Sequence, residues 1–438
     1  MKKVTLVSLC AALSLLSASL YAEDSAPKVK LYGFIRNYYA FDSRESLAGT
    51  EDLFYYVPKD ISLNDENVDI NANPNFKFAA LTSRLGVDVK GYEYKGWDFA
   101  AKIEADFYNG LSKTEDDKLT KSSLTGTANL RLRQAYVTMS NYRWTFKAGQ
   151  AWHPLAADMP HIFSLNTGAP FGPFSRTPLV SAEAVIYPGL SITAAAIWQQ
   201  QYTSAGPYGA SANYIRNGGG ELYLGLNYKK GAFLARAGIN ALSITPRTVN
   251  DKKLKVVERS LTFIPFLYAQ YEKGPVAVRF KTVLAQGGEH LNLNGGYAIS
   301  GMQNDSRSYV YTPTLNSSSW ASFKYKAGNL DLILFGGYVK NFGTIDPLLG
   351  ENTVIGGYGK PMGFYFSKNS YDNVNSMWRL TPEVVYNFGR LALGIEYECT
   401  SVQYGDKSQG MNLDKGLYDK GLHWVTNHRV QGIVKFTF

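Results

Sequence analysis

The segment from Ser83 to Phe107, SRLGVDVKGYEYKGWDFAAKIEADF, alternates apolar and charged residues, turns over within a few residues, and alternates again. Ser83, Leu85, Val87 and Val89 share one parity, against Arg84, Gly86, Asp88 and Lys90. In the second run Trp97, Phe99, Ala101, Ile103, Ala105 and Phe107 oppose Asp98, Lys102, Glu104 and Asp106. Successive side chains of a strand point to opposite faces, so each run is a ribbon with one apolar and one polar side. A soluble antiparallel sheet shows the same alternation. The rest of the chain therefore decides what the apolar side meets.

The same period of two predicts sixteen strands, near residues 29–42, 79–92, 97–108, 128–140, 144–152, 179–187, 190–201, 220–229, 232–242, 258–271, 276–286, 318–326, 330–341, 375–387, 391–404 and 424–438. Seven connections are tight (EYKG, NYR, PG, KKG, EKGP, AGN and FGR) and eight are long and polar, and the two kinds alternate without exception. That order marks an up-and-down barrel with turns at one rim and loops at the other; an even strand count puts both ends on the periplasmic, short-turn side. The apolar parity recurs throughout: Leu190, Ile192, Ala194, Ala196 and Trp198 in one strand, Leu222, Leu224, Leu226 and Tyr228 in the next. A sixteen-strand barrel is too wide to fill with side chains, so its polar face meets water and its apolar face meets lipid. Aromatics beside the tight turns (Tyr92, Trp97, Trp144, Tyr228, Tyr271, Tyr325 and Tyr386) fit an interfacial girdle. Aromatic residues make up 14% of the chain, high for a soluble enzyme, and no stretch beyond the N-terminus is apolar enough for a spanning helix.

The first residues, MKKVTLVSLCAALSLLSASLYA, read as a secretory signal peptide over 1–22, which leaves 23–438 as the barrel domain. Cys10 follows the bulky Leu9 with little apolar chain ahead of it, which argues against a lipid anchor. Outside the leader only Cys399 remains, so no intrachain disulfide forms. The last residues, RVQGIVKFTF, place Val430, Gly432, Val434, Phe436 and Phe438 on one parity, a pattern like the terminal signal read by the barrel-assembly machinery. Lys and Arg number 45 against 36 Asp and Glu, but the basic residues are dispersed, which is unlike a nucleic-acid partner.

On the polar parity the inward cations are Arg36, Arg84, Lys102, Arg131, Arg133, Lys147, Arg236, Arg279, Lys281, Arg379 and Arg429. The inward acids are Asp88, Glu104, Asp106, Glu183, Glu383, Glu396 and Glu398. A cationic wall raises the local concentration of anions; the competing view pairs these cations with the neighbouring acids. The third long connection, WHPLAADMPHIFSLNTGAPFGPFSRTPLV, holds five prolines and few charges, a composition unsuited to a free loop. We expect it to fold into the barrel and narrow it. His153, Asp158, His161 and Arg176 are then constriction candidates, with Phe163, Phe171 and Phe174 as anchors. Docking of this loop on a neighbouring subunit is the alternative.

Other classes fit less well. A barrel hydrolase needs a nucleophile beside a histidine. Only His153, His161, His290, His423 and His428 exist; four fall in loops, and His428 takes the lipid-facing parity. An energised receptor needs a plug before the barrel. There is no GxxxxGK[ST] run to hold a nucleotide, and no cofactor is expected. A surface barrel with a closed pore, acting as an adhesin or binding protein, is the main alternative to a channel. In its first long loop Asp65, Glu66 and Asp69 are weak calcium candidates, without EF-hand spacing.

The leader, the first strand LYGFIRNYYAFDSRES, the strand LRLRQAYV, the loop GQAWHPLAADMP and the ending HWVTNHRVQGIVKFTF together resemble the outer-membrane porins of the Bacteroidota, akin to the DcaP-like trimeric porins. The likeness implies a sixteen-stranded Gram-negative outer-membrane barrel, a homotrimer, an inward third loop and passive diffusion of ions and small hydrophilic solutes. Within it, lumen roles carry over to the inward cations of matching strands, such as Arg131 and Arg133, and to the third-loop residues. Only Glu23 to Lys28 lie between the expected leader and the first strand, so a counterpart of the periplasmic coiled coil of the DcaP-like pattern is not expected here.

Overall fold

The computed structural model describes residues 27–49, 53–80, 82–108, 112–113, 119–120, 129–209, 214, 218–303, 307–351, 358–366 and 371–438. The segment 1–22, read from the sequence as a signal peptide, lies outside the described residues. Among them, sixteen barrel strands follow in chain order. They are β1 (Lys28–Asp42), β2 (two segments, Asn75–Ala79 and Arg84–Tyr94), β3 (Trp97–Tyr108), β4 (Asn129–Ser140), β5 (Trp144–Trp152), β6 (Arg176–Tyr187), β7 (Leu190–Ile197) and β8 (Gly220–Lys230). The second half comprises β9 (Phe233–Ile244), β10 (Ser260–Lys273), β11 (Val276–Gln286), β12 (Tyr309–Ala327), β13 (Leu330–Thr344), β14 (Val374–Phe388), β15 (Leu391–Tyr404) and β16 (His423–Thr437).

Each strand pairs antiparallel with the next. β16 then returns to β1, from Phe34 opposite Thr437 to Asp42 opposite Arg429, which closes the barrel. Closure leaves no sheet edge, the condition for a sheet to cross a bilayer. The seam is locked by charge: Arg429 donates from Nε and Nη2 to Asp42 at 2.7 and 2.8 Å, and Lys77 of β2 reaches the same carboxylate at 2.8 Å.

Local chemistry explains the turns. Between β2 and β3, Lys95 (φ 50°) and Gly96 (φ 78°) both occupy the left-handed region that a two-residue hairpin turn demands. Between β4 and β5 the Asn141 side chain does this work, accepting from the backbone N–H of Arg143 at 2.9 Å and of Trp144 at 2.7 Å.

The two faces are inverted relative to a soluble protein. On β8, Leu222 is 62% exposed while Glu221 beside it is 1% exposed; on β14, Leu380 is 47% exposed while Arg379 is 1% exposed. Exposed leucine around buried charge is the pattern of a wall whose outer face sits in hydrocarbon. Trp144, Tyr228, Tyr271, Tyr325 and Tyr386 are exposed near the short-turn rim. The chain is a multi-pass membrane barrel.

Two expectations need adjusting. β12 begins at Tyr309 rather than 318: its outer end, Tyr309 to Pro313, pairs with an extra strand, Gly296–Met302, and Tyr311 to Thr314 are buried in succession, so the alternation is lost there. The first long loop is not merely a solvated excursion: Ser46–Gly49 pairs with Tyr55–Pro58 as a hairpin at the barrel mouth.

Candidate functional site

The third loop, residues 153–175, crosses the lumen and binds the inner wall on many strands. At its root, His153 is fully buried and bonds from Nε2 to Glu221 of β8 at 2.9 Å. The backbone N–H of Leu155 donates to His153 Nδ1 at 3.1 Å, which assigns the ring proton to Nε2. Asp158 pairs with Arg236 of β9 and lies 3.8 Å from Lys281 of β11. The Lys281 ammonium also donates to the carbonyls of Leu155 at 2.5 Å and Asp158 at 3.2 Å. Arg279 donates to the Met159 carbonyl at 2.9 Å and pairs with Glu272 at 2.6 Å, and His161 reaches Glu272 at 3.2 Å.

Farther along, Phe163 N–H donates to Glu383 of β14 at 2.9 Å, Asn166 donates to Glu398 of β15, and Arg379 of β14 donates to the Ala169 carbonyl at 2.8 Å. The phenylalanines act as anchors. Phe171 is fully buried against Phe335 and lies over Gly337, and Phe163 lies over Gly394; at both glycines a Cβ would occupy the space of the ring. Charge-assisted bonds to carbonyl oxygens inside a low-dielectric site are strong, so the loop is held rather than draped.

The eleven inward cations thus divide by task. Arg236, Arg279, Lys281 and Arg379 hold the third loop. Arg429 locks the seam. Arg84, Lys102, Arg131 and Arg133 face the lumen from β2 to β4 and are paired with Asp88, Glu104 and Asp106 at 2.6–3.5 Å. Arg36 and Lys147 have no ion pair among the described residues. Arg36 lies between the Phe34 and Tyr38 rings at 5.0 Å each, and Lys147 lies 5.1 Å from the Tyr136 ring.

Two more inward cations share that state. Arg176, at the start of β6, lies over Trp152 at 5.1 Å and Phe174 at 5.3 Å. Lys435 of β16 stands opposite Arg36 and approaches the Phe163 ring of the third loop at 6.0 Å. Sequence reasoning passed over Lys435, although it shares the parity of Arg429. The wall of β16 and β1 to β6 thus carries Lys435, Arg36, Arg176 and Lys147 without an ion pair among the described residues, Arg36 and Arg176 being buried.

The constriction candidates are therefore brought to the lumen but bonded back to the wall: His153, Asp158 and His161 hold the loop's seat. The calcium candidates are not brought together. Asp69 pairs with Arg44 at 2.6 Å inside the first loop, while Asp65 and Glu66 are exposed in a turn; no group of metal-ligating side chains able to hold an ion occurs among the described residues.

No family model matches the chain, and no curated protein matches its sequence. Its structure is similar to that of the outer-membrane channel DcaP of Acinetobacter baumannii, at 17% identity and a TM-score of 0.61, covering 95% of this chain and 99% of that one. It is also similar to the anion-selective porin from Comamonas acidovorans, at 12% identity and a TM-score of 0.53, covering 94% of this chain and 100% of that one. The fold is that of the outer-membrane porins.

In this porin fold two loop histidines of the seat carry opposite charge tendencies. His161 is driven down to about 4, by burial first and by Arg279 next, against the pull of Glu272. For His290, in the sixth long loop, burial opposes the charge but the Glu221 carboxylate 3.2 Å away outweighs it, and the ring is raised above its ordinary value. The His290 contribution to stability is therefore full below about pH 6.5 and lost as pH rises through the folded value. The His161 contribution runs the other way, falling as pH drops from about 6.5 toward about 4. We expect the unfolding midpoint of the wild type to fall between about pH 6.5 and about pH 8 more steeply than that of His290→Gln, measured by thermal scans in detergent. Equal slopes would remove His290 from this role.

Proposed function

We propose that the chain is an outer-membrane porin, a passive diffusion channel for ions and small hydrophilic solutes with a mild preference for anions. The observation that carries the anion preference is the set of inward cations without an ion pair among the described residues, Arg36 of β1, Lys147 of β5, Arg176 of β6 and Lys435 of β16. A cleft lined by one sign of charge between low-dielectric walls concentrates the opposite ion. The inward cations Arg84, Lys102, Arg131 and Arg133 add donors at the lumen surface, although their charge is offset by neighbouring acids. The homotrimer and the kinship with Bacteroidota porins belong to the same proposal and rest on the sequence resemblance.

The test is single-channel conductance in a planar bilayer, with the reversal potential taken under a salt gradient. Stable steps in groups of three with a reversal potential of the anionic sign support the proposal. A silent bilayer overturns it and moves the weight to a closed surface barrel. The double variant Lys147→Gln, Lys435→Gln removes charge without orphaning any acid, so folding should be unaffected. The reversal potential should lose about half of its displacement from zero.

A further inference from the structure

The first loop, residues 43–74, supplies a feature that the third loop does not explain. It is polar along most of its length, yet near the tip of its hairpin Leu53 is 1% exposed and Phe54 7%, and Val57 in its second strand is 0% exposed. The Phe54 ring meets Phe174 of the third loop edge-on at 4.4 Å, and Phe174 in turn packs edge-on against Trp152 at 5.0 Å. Such pairs hold by more than their buried area.

The base of the loop is fastened independently of this contact. Arg44 donates from Nε to the Lys59 carbonyl at 2.8 Å, from Nη2 to the Asp60 carbonyl at 3.1 Å, and pairs with Asp69 at 2.6 Å. Tyr404 of β15 donates to the Pro58 carbonyl at 2.6 Å, and His423 of β16 reaches Asp60 at 2.6 Å. The hairpin is thus hung from the rim at β15 and β16, with its apolar tip on the root of the third loop. An apolar residue in the path of a solute sets a steric limit and offers no hydrogen bond.

We propose that Phe54 is a size-determining residue of the channel, the second half of a constriction whose first half is the third loop. This rests on the porin reading. The first loop is hung from β15 and β16 and the third leaves from β5 and returns to β6, so they meet from different sides of one rim, and the width of the opening depends on the bulk at position 54 and not on the third loop alone.

The experiment compares wild type, Phe54→Ala and Phe54→Trp in planar bilayers, with polyethylene glycols of graded size as probes of the exclusion limit. Phe54→Ala should raise conductance by roughly two-fold and admit larger polymers, and Phe54→Trp should lower both. The opposed variants separate a steric role from misfolding, since a damaged barrel would not give changes of opposite sign. A conducting wild type with both variants unchanged overturns the inference and leaves the porin reading standing. Silence of all three proteins overturns both.

The seat itself is read separately, in a Cys399→Ser background, from the rate at which a thiol-specific, membrane-impermeant reagent labels Phe54→Cys. Slow labelling relative to Asp65→Cys, whose position is exposed, supports the packed tip; equal rates overturn it.

Discussion

Replacing residues 156–170 by a short Gly-Ser link raises the conductance of the channel several-fold and abolishes most of its size exclusion. The expectation follows from what the third loop occupies. A barrel of sixteen strands encloses an aqueous bore unless something fills it, and here the filler includes the buried Ala156, Ser164, Leu165, Asn166 and Ala169. Removing it exposes Lys281 and Arg379, both buried beneath it, to the lumen, so the anion preference should survive the loss of size selection. Single-channel recordings with polymer exclusion check both parts; a variant that conducts like the wild type would mean that the bore is set elsewhere.

The Asp42→Asn variant loses about 3–5 kcal/mol of stability. Asp42 and Arg429 are both fully buried at the closure seam, and the carboxylate also meets Lys77 and accepts from Asn427 at 2.7 Å. A neutral amide takes the Asp42 charge away from one buried guanidinium and one half-buried ammonium, and removing one partner of a buried ion pair is far costlier than removing both. Urea unfolding in detergent micelles, followed by tryptophan fluorescence, should show the loss as a lower midpoint. Asp42→Asn, Arg429→Met, Lys77→Met should recover much of it; failure of the triple variant to recover would assign the loss to packing rather than to charge.

Much of the architecture was legible because a membrane barrel writes its geometry into single residues. The alternation of Leu222, Leu224 and Leu226 with Glu221 and Tyr223 is forced by lipid on one side and the lumen on the other, with no help from distant contacts. The turn at Lys95 and Gly96 is equally local. The proline-rich third connection announced its inward path by composition.

What escaped notice depends on partners far away in sequence. Which cations stay uncompensated is decided by cross-strand register, as where Lys435 faces Arg36 but Arg131 faces Asp106. Entry of the first loop into the mouth depends on Arg44 finding two carbonyls and on Phe54 finding Phe174, contacts that the acidic run NDENVDINAN conceals.

The reach of the third loop bears on the order in which the molecule is built. It leaves the wall after β5, yet its seat is made of side chains on β8 to β15: Glu221, Arg236, Lys281, Arg379, Glu383 and Glu398. Those contacts are long-range and cannot form until the later strands have paired, and contacts of that kind form slowly. The bore therefore narrows last. A nascent barrel passes through a wide, loop-free stage during insertion, and any factor that delays β14 and β15 prolongs that leaky interval.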